Sequence, residues 1–247
     1  MVFEGGFLKI VGFDWKIFRR VYYILCFSFY IMNQQEVIER TVAYVRGLLD
    51  GEGSGHDWWH IYRVWQLSLS LGKEEKADLF VVQLGALLHD IADWKFHADE
   101  KQGENVAKQW LMTLGVEERI IEEVRHIIAE ISFKGAGVEN GMMTIEGRVV
   151  QDADRLDALG AMGIARCFTY GGYTKRVMHD PEMRPVMHST FEEYKKSEGT
   201  TINHFYEKLL LLKERMNTVT GKRMADDRHR FMEEYLTRFF NEWDGER

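Results

Sequence analysis

The chain contains only two prolines and two cysteines in 247 residues. Two thiols, Cys26 and Cys167, supply neither a disulfide framework nor a four-cysteine zinc site. Each is expected to fill apolar space, and a reducing, cytoplasmic setting fits this usage. So few prolines, beside 45% hydrophobic and 13% aromatic residues, exclude a low-complexity or disordered chain. No run of lysine or arginine occurs, and 39 acidic against 32 basic side chains give a net charge of −7. That balance argues against binding DNA or RNA duplexes, which needs a basic face to neutralise phosphates. A long hydrophobic run is also missing: the most apolar stretch, residues 21–32, has twelve residues, where a membrane span needs about 20.

That stretch follows Lys16, Arg19 and Arg20, an order similar to the charged and hydrophobic parts of a signal peptide. The next residues, Asn33-Gln34-Gln35-Glu36, offer no small-residue cleavage site, and a polar helix-forming sequence starts directly after Met32. Residues 1–31 are therefore read as an N-terminal extension, non-native or dispensable. Residues 32–247 are read as one domain, long enough to bury a substantial core.

Hydrophobic periodicity points to helices throughout. Val37, Ile38, Val42, Val45 and Leu48-Leu49 place a helix over 34–49. A second is expected to be capped by Asp57 and ended by Gly72. A third spans about 74–90, and its stretch from Val81 to Leu88 is apolar nearly all round, the mark of a central, buried helix. Further helical patterns cover about 100–114, 117–131, 146–169, 201–219 and 222–243. No two-residue alternation lasts long enough for a sheet, so the expected fold is an all-α single domain. Residues 170–200 break the pattern with Gly171-Gly172 and both prolines, Pro181 and Pro185. A polar segment this long inside a compact helical protein suggests a lid or binding loop.

Three segments carry chemistry. The buried third helix ends in Leu87-Leu88-His89-Asp90, and a histidine beside an aspartate at an apolar helix end is costly unless something pairs with both. A divalent metal would do so, since imidazole nitrogen and carboxylate oxygen are common ligands for first-row ions. His56 and His60 stand four residues apart near a helix start, so they can share a face. Asp152, Asp154 and Asp157 follow Val149-Val150; Asp154 and Asp157 share a helical face while Asp152 points elsewhere. Lying among apolar residues, at least one of these carboxylates is expected to turn inward and require a partner.

His60, then His89-Asp90, then Asp154 within Ala153-Asp154-Arg155-Leu156 resembles the H…HD…D signature of the HD-domain metal-dependent phosphohydrolases. The surrounding residues are similar too: His60-x-x-x-Val64 at a helix start, Leu87-Leu88-His89-Asp90-Ile91, and the Ala-Asp-Arg-Leu register. The resemblance covers roughly residues 34–170, and the C-terminal helices look like those of small stand-alone bacterial HD hydrolases. It implies an HD-type helical bundle and one divalent metal (Mn, Fe, Co, Ni, Zn or Mg) held by His60, His89, Asp90 and Asp154. His56 and Asp152 compete for two of those places, as second-metal or orienting groups. The implied reaction is hydrolysis of a phosphoester or phosphoanhydride, most often in a nucleotide or related phosphorylated metabolite, by a metal-activated water. Asp93 and His126 are the candidate acid–base groups, and Arg155 a candidate phosphate holder. Arg63, Lys95, Lys134, Lys175, Arg176 and Arg184 are further candidate phosphate contacts. Alternative expectations are a two-metal HD-like enzyme, either phosphodiesterase or di-iron oxygenase, and a non-catalytic HD ligand-sensing module.

Overall fold

A computed structural model of the chain describes residues 32–49, 57–91, 102–132, 141–187 and 199–246. The expected extension, residues 1–31, lies outside the described residues. In order, the elements are α1 (Gln34–Leu48), α2 (Trp58–Glu75), α3 (Leu79–Leu88), α4 (Gln102–Thr113), α5 (Glu118–Glu130), α6 (Ile145–Asp157), α7 (Gly160–Tyr173), α8 (Thr201–Glu207), two 3-10 turns (Leu209–Leu211 and Lys213–Arg215) and α9 (Val219–Trp243). No strand occurs among the described residues, so the fold is all-α. No helix among them is long and apolar enough to cross a membrane.

The centre of the fold is α3. Eight of its ten residues are buried, and α1, α2, α5 and α6 pack around it. Its approach to α5 and α6 is close because Gly85 has no side chain; a Cβ there would lie 3.1 Å from Ile127 Cδ1 and 3.4 Å from Val150 Cγ2. Only Leu79 and Gln83 are half-buried and the other residues of α3 are buried, which is why it became the axis rather than a surface helix.

Local chemistry sets the helix ends. The Asp57 carboxylate accepts the backbone N–H of His60 at 2.9 Å and so fixes the first turn of α2. Gly72 was expected to end that helix. Instead α2 runs on to Glu75 and closes at Lys76, in the left-handed region with φ 58°. The glycine serves packing: a Cβ there would sit 3.0 Å from Leu79 Cδ2. Asp78 then caps α3 by accepting the Phe80 N–H at 2.9 Å, so α3 starts later than the sequence pattern suggested.

The expected helix over 146–169 is in fact two. α6 ends at Asp157 and α7 begins at Gly160, whose φ of +67° lies in the left-handed region and marks the break between them. Leu159 between them is extended and buried. The pattern over 201–219 likewise breaks into the seven-residue α8 and the two 3-10 turns, with Leu209 and Leu212 buried.

Asp152 joins these C-terminal parts to α6. Fully buried, its carboxylate accepts from Asn217 N, Asn217 Nδ2, Thr218 N and Thr218 Oγ1, each at 2.8 Å. Thr218 in turn caps α9 by accepting the Gly221 N–H. Removing the carboxylate would strand several buried donors, so Asp152→Ala is expected to lower the unfolding free energy by roughly 2–4 kcal/mol, measured by urea denaturation. Gly160→Ala places a Cβ in the left-handed region, 3.1 Å from Arg228 Cγ; in the same assay it should cost about 1–2 kcal/mol.

Candidate metal centre

Three helix ends meet at the site. His60 comes from the first turn of α2, His89 and Asp90 from the turn after α3, and Asp154 from the last turn of α6. His60 Nε2 lies 3.2 Å from His89 Nε2, 3.3 Å from Asp90 Oδ2 and 3.5 Å from Asp154 Oδ1. His89 Nε2 lies 3.7 Å from Asp90 Oδ2 and 3.9 Å from Asp154 Oδ1. With metal–ligand bonds near 2.1 Å, adjacent ligand atoms around one ion should stand about 3.0–3.4 Å apart. His60, His89 and Asp90 also group as a set of atoms able to hold a metal ion.

The protonation pattern makes the same demand. His60 Nδ1 is 2.8 Å from Asp157 Oδ2, and His89 Nδ1 is 2.8 Å from the Ala86 carbonyl oxygen. Both acceptors lack protons, so each Nδ1 carries a hydrogen, and a neutral ring presents a lone pair at Nε2. Two lone pairs facing each other at 3.2 Å, with two carboxylates beside them, repel unless a cation stands between them. Burial and the Arg166 guanidinium work against charging His60, yet hydrogen bonds to Asp157 and Asp90 outweigh them and raise its pKa above the ordinary imidazole value. A proton is one answer to the crowding of acceptors; a divalent cation satisfies all four groups at once.

Behind His60 lies a group whose role the sequence did not reveal. The buried Asp157 carboxylate accepts from His60 Nδ1, from Arg63 Nε at 2.7 Å and from Arg63 Nη2 at 3.0 Å, and it pairs with Arg166 Nη1 at 3.1 Å. Burial alone would raise its pKa, but His60 and Arg63, aided by Arg166, hold the carboxyl well below the usual carboxylate range. The shared face of Asp154 and Asp157 was readable as a local signal. The partners were not, because His60 and Arg63 lie 97 and 94 residues away.

Other expected site residues fall elsewhere. Asp152 faces Asn217 and Thr218, away from the ligand atoms. The Arg155 side chain is buried, and its Nη1 donates to the Arg215 carbonyl; burial pulls its pKa down to about 10, against the opposing pull of Asp152 and Asp154. On α5, His126 holds a buried Nε2 with no hydrogen-bond partner among the described residues. Lys175, Arg176 and Arg184 follow α7 in a segment tied to α8, where Val177 and Met178 carbonyls accept the Thr201 and Ile202 N–H groups. Among the described residues, no hydrogen bond or ion pair links these three to the ligand cluster. His56, Asp93, Lys95, Lys134 and residues 188–198 of the expected lid lie outside the described residues.

Residues 58–159 match the family model of the HD domain. YpgQ of Bacillus subtilis is 36% identical over 206 residues, which cover 83% of this chain and 93% of YpgQ. The crystal structure of YpgQ in complex with ADP resembles this one with a TM-score of 0.67, at 32% identity over 85% of this chain and 97% of that one. A structure from Lactobacillus plantarum has a TM-score of 0.79 at 36% identity, covering 87% of this chain and all of that one. An HD-superfamily hydrolase from Bacillus thuringiensis is 43% identical over 86% of this chain and 99% of its own, with a TM-score of 0.67. The helix ends that bring His60, His89-Asp90 and Asp154 together thus fall within the matched region, and the chain belongs to the HD-domain superfamily.

Proposed function

We propose that this protein is a metal-dependent phosphohydrolase that cleaves a phosphoester or phosphoanhydride bond in a nucleotide or related small phosphorylated metabolite. The observation that carries this reading is the convergence of His60 Nε2, His89 Nε2, Asp90 Oδ2 and Asp154 Oδ1, with both Nδ1 atoms already committed to acceptors. These four residues are the proposed ligands of one divalent ion. Two neutral imidazoles and two carboxylates balance its charge and leave coordination positions for water and substrate. The ion supplies Lewis acidity toward a phosphoryl oxygen and a water acidified for attack. The protein's part is to hold the ligands rigid around the buried end of α3 and to keep each imidazole in the tautomer that carries its hydrogen on Nδ1. A nucleotide as substrate is supported by the ADP complex of the Bacillus subtilis relative and by hydrolase relatives of similar fold.

The test is a phosphate- and pyrophosphate-release screen over nucleoside mono-, di- and triphosphates, with Mn, Co, Ni, Fe, Zn and Mg added separately to chelated protein. Release should be absent from the chelated protein and return with at least one ion. Asp90→Ala should lose most of its bound metal and lower kcat by ~100-fold or more, beyond the usual loss from an outer-shell change. A variant that keeps full occupancy and turnover would remove Asp90 from the ligand set. Release that is equally fast in chelator would end the metal-dependent reading.

A further inference from the structure

The two histidines of the cluster are held differently. His89 Nδ1 meets a neutral backbone carbonyl at Ala86, whereas His60 Nδ1 meets the Asp157 carboxylate. That carboxylate is itself clamped by Arg63 through two hydrogen bonds and by Arg166 through one ion pair. Asp157 and the two arginines come from separate places: Arg63 from α2, one turn after His60, Asp157 from the last residue of α6, and Arg166 from α7, beyond the helix break at Gly160. A buried carboxylate is costly unless its oxygens are filled, and here both Asp157 oxygens are filled. The geometry leaves the carboxylate no freedom to turn away from His60.

We infer that Asp157 is a positioning residue for the metal ligand His60, and that Arg63 and Arg166 act on the metal through Asp157. This rests on the metal-site reading proposed above. It assigns Arg63 differently from the phosphate contact that its basic side chain suggested, because Nε and Nη2 are spent on Asp157. An imidazole whose outer N–H is held by a carboxylate is fixed in orientation and made a stronger donor at the opposite nitrogen. Arg63 shares α2 with His60, so the ligand and its clamp move together. Arg166 carries the same constraint to α7, which makes the connection at 158–160 part of the metal site's support.

The test measures Co(II) and Mn(II) affinity by chelator competition, the visible spectrum of the Co(II) protein, and the melting midpoint of the metal-free protein. Asp157→Asn should weaken metal binding by about 10–100-fold and alter the Co(II) spectrum, and Asp157→Glu should recover part of the affinity. Arg63→Gln and Arg166→Gln should give smaller losses of affinity in the same direction, with KM for substrate little changed once metal is saturating. If Asp157→Asn does not fold, Arg166→Gln decides: weaker Co(II) binding at an unchanged metal-free midpoint upholds the inference. Unchanged affinity and spectrum in the folded variants would overturn it, as would an Arg63→Gln effect confined to KM. The control is Asp90→Ala; if that variant binds Co(II) like the parent, the metal site itself has been misplaced, and the failure belongs to that reading rather than to Asp157.

Discussion

Two imidazole Nε2 atoms 3.2 Å apart, which present lone pairs to each other whenever both rings are neutral, are the constraint on which the rest of the structure depends. The contact is unfavourable by itself, so the fold must impose it. α3 supplies the rigidity: with eight of ten residues buried and helices on all sides, it cannot rotate His89 away from His60 without opening the core. The Asp57 cap does the same for His60 by locking the first turn of α2. Packing energy gathered over many apolar contacts is thus set against one local repulsion, which a bound cation would turn into attraction.

α6 shows how one short helix divides its work. Its three aspartates differ only in angle, each residue advancing about 100° around the axis. Asp154 and Asp157 fall about 60° apart and face the two sides of His60: one beside its Nε2, the other at its Nδ1. Asp152 faces a different direction and anchors the start of α9 through Asn217 and Thr218. The same helix therefore sets the cluster and ties it to the C-terminal half of the chain. A shift in its register would disturb both.

How much of this was legible in the sequence follows from the range of the interactions involved. The all-α fold and the central place of α3 were readable because they depend on periodicity within one segment. The meeting of His60, His89, Asp90 and Asp154 was readable only through resemblance to a family, since nothing local in the four segments indicates that they touch. Where the sequence pattern misled, tertiary packing had overridden a local sign. Gly72 looked like a helix terminator but makes room for Leu79, whereas Gly160, inside an apparently continuous apolar pattern, takes a left-handed φ at a break between two helices. The Asp157 clamp was invisible for a related reason: an aspartate near a helix end is ordinarily a solvated charge, and two of its three partners, His60 and Arg63, lie 97 and 94 residues away.

Charge links the cluster to the ion proposed for it. Among the carboxylates and guanidiniums joined to the two histidines, Asp90, Asp154 and Asp157 oppose Arg63 and Arg166, leaving one negative charge. A phosphate approaching that surface is repelled. One divalent ion at the proposed position reverses the sign and leaves a single positive charge, concentrated at the ligand atoms in a partly buried setting where screening is weak. On the metal-dependent reading, then, a bound cation would favour the approach of the anion. The clamp on Asp157 contributes to this as well, since its two arginines neutralise a carboxylate that would otherwise repel the substrate while still orienting His60. On that reading, the same side chains that fix the ligand geometry also set the charge that a phosphate would meet.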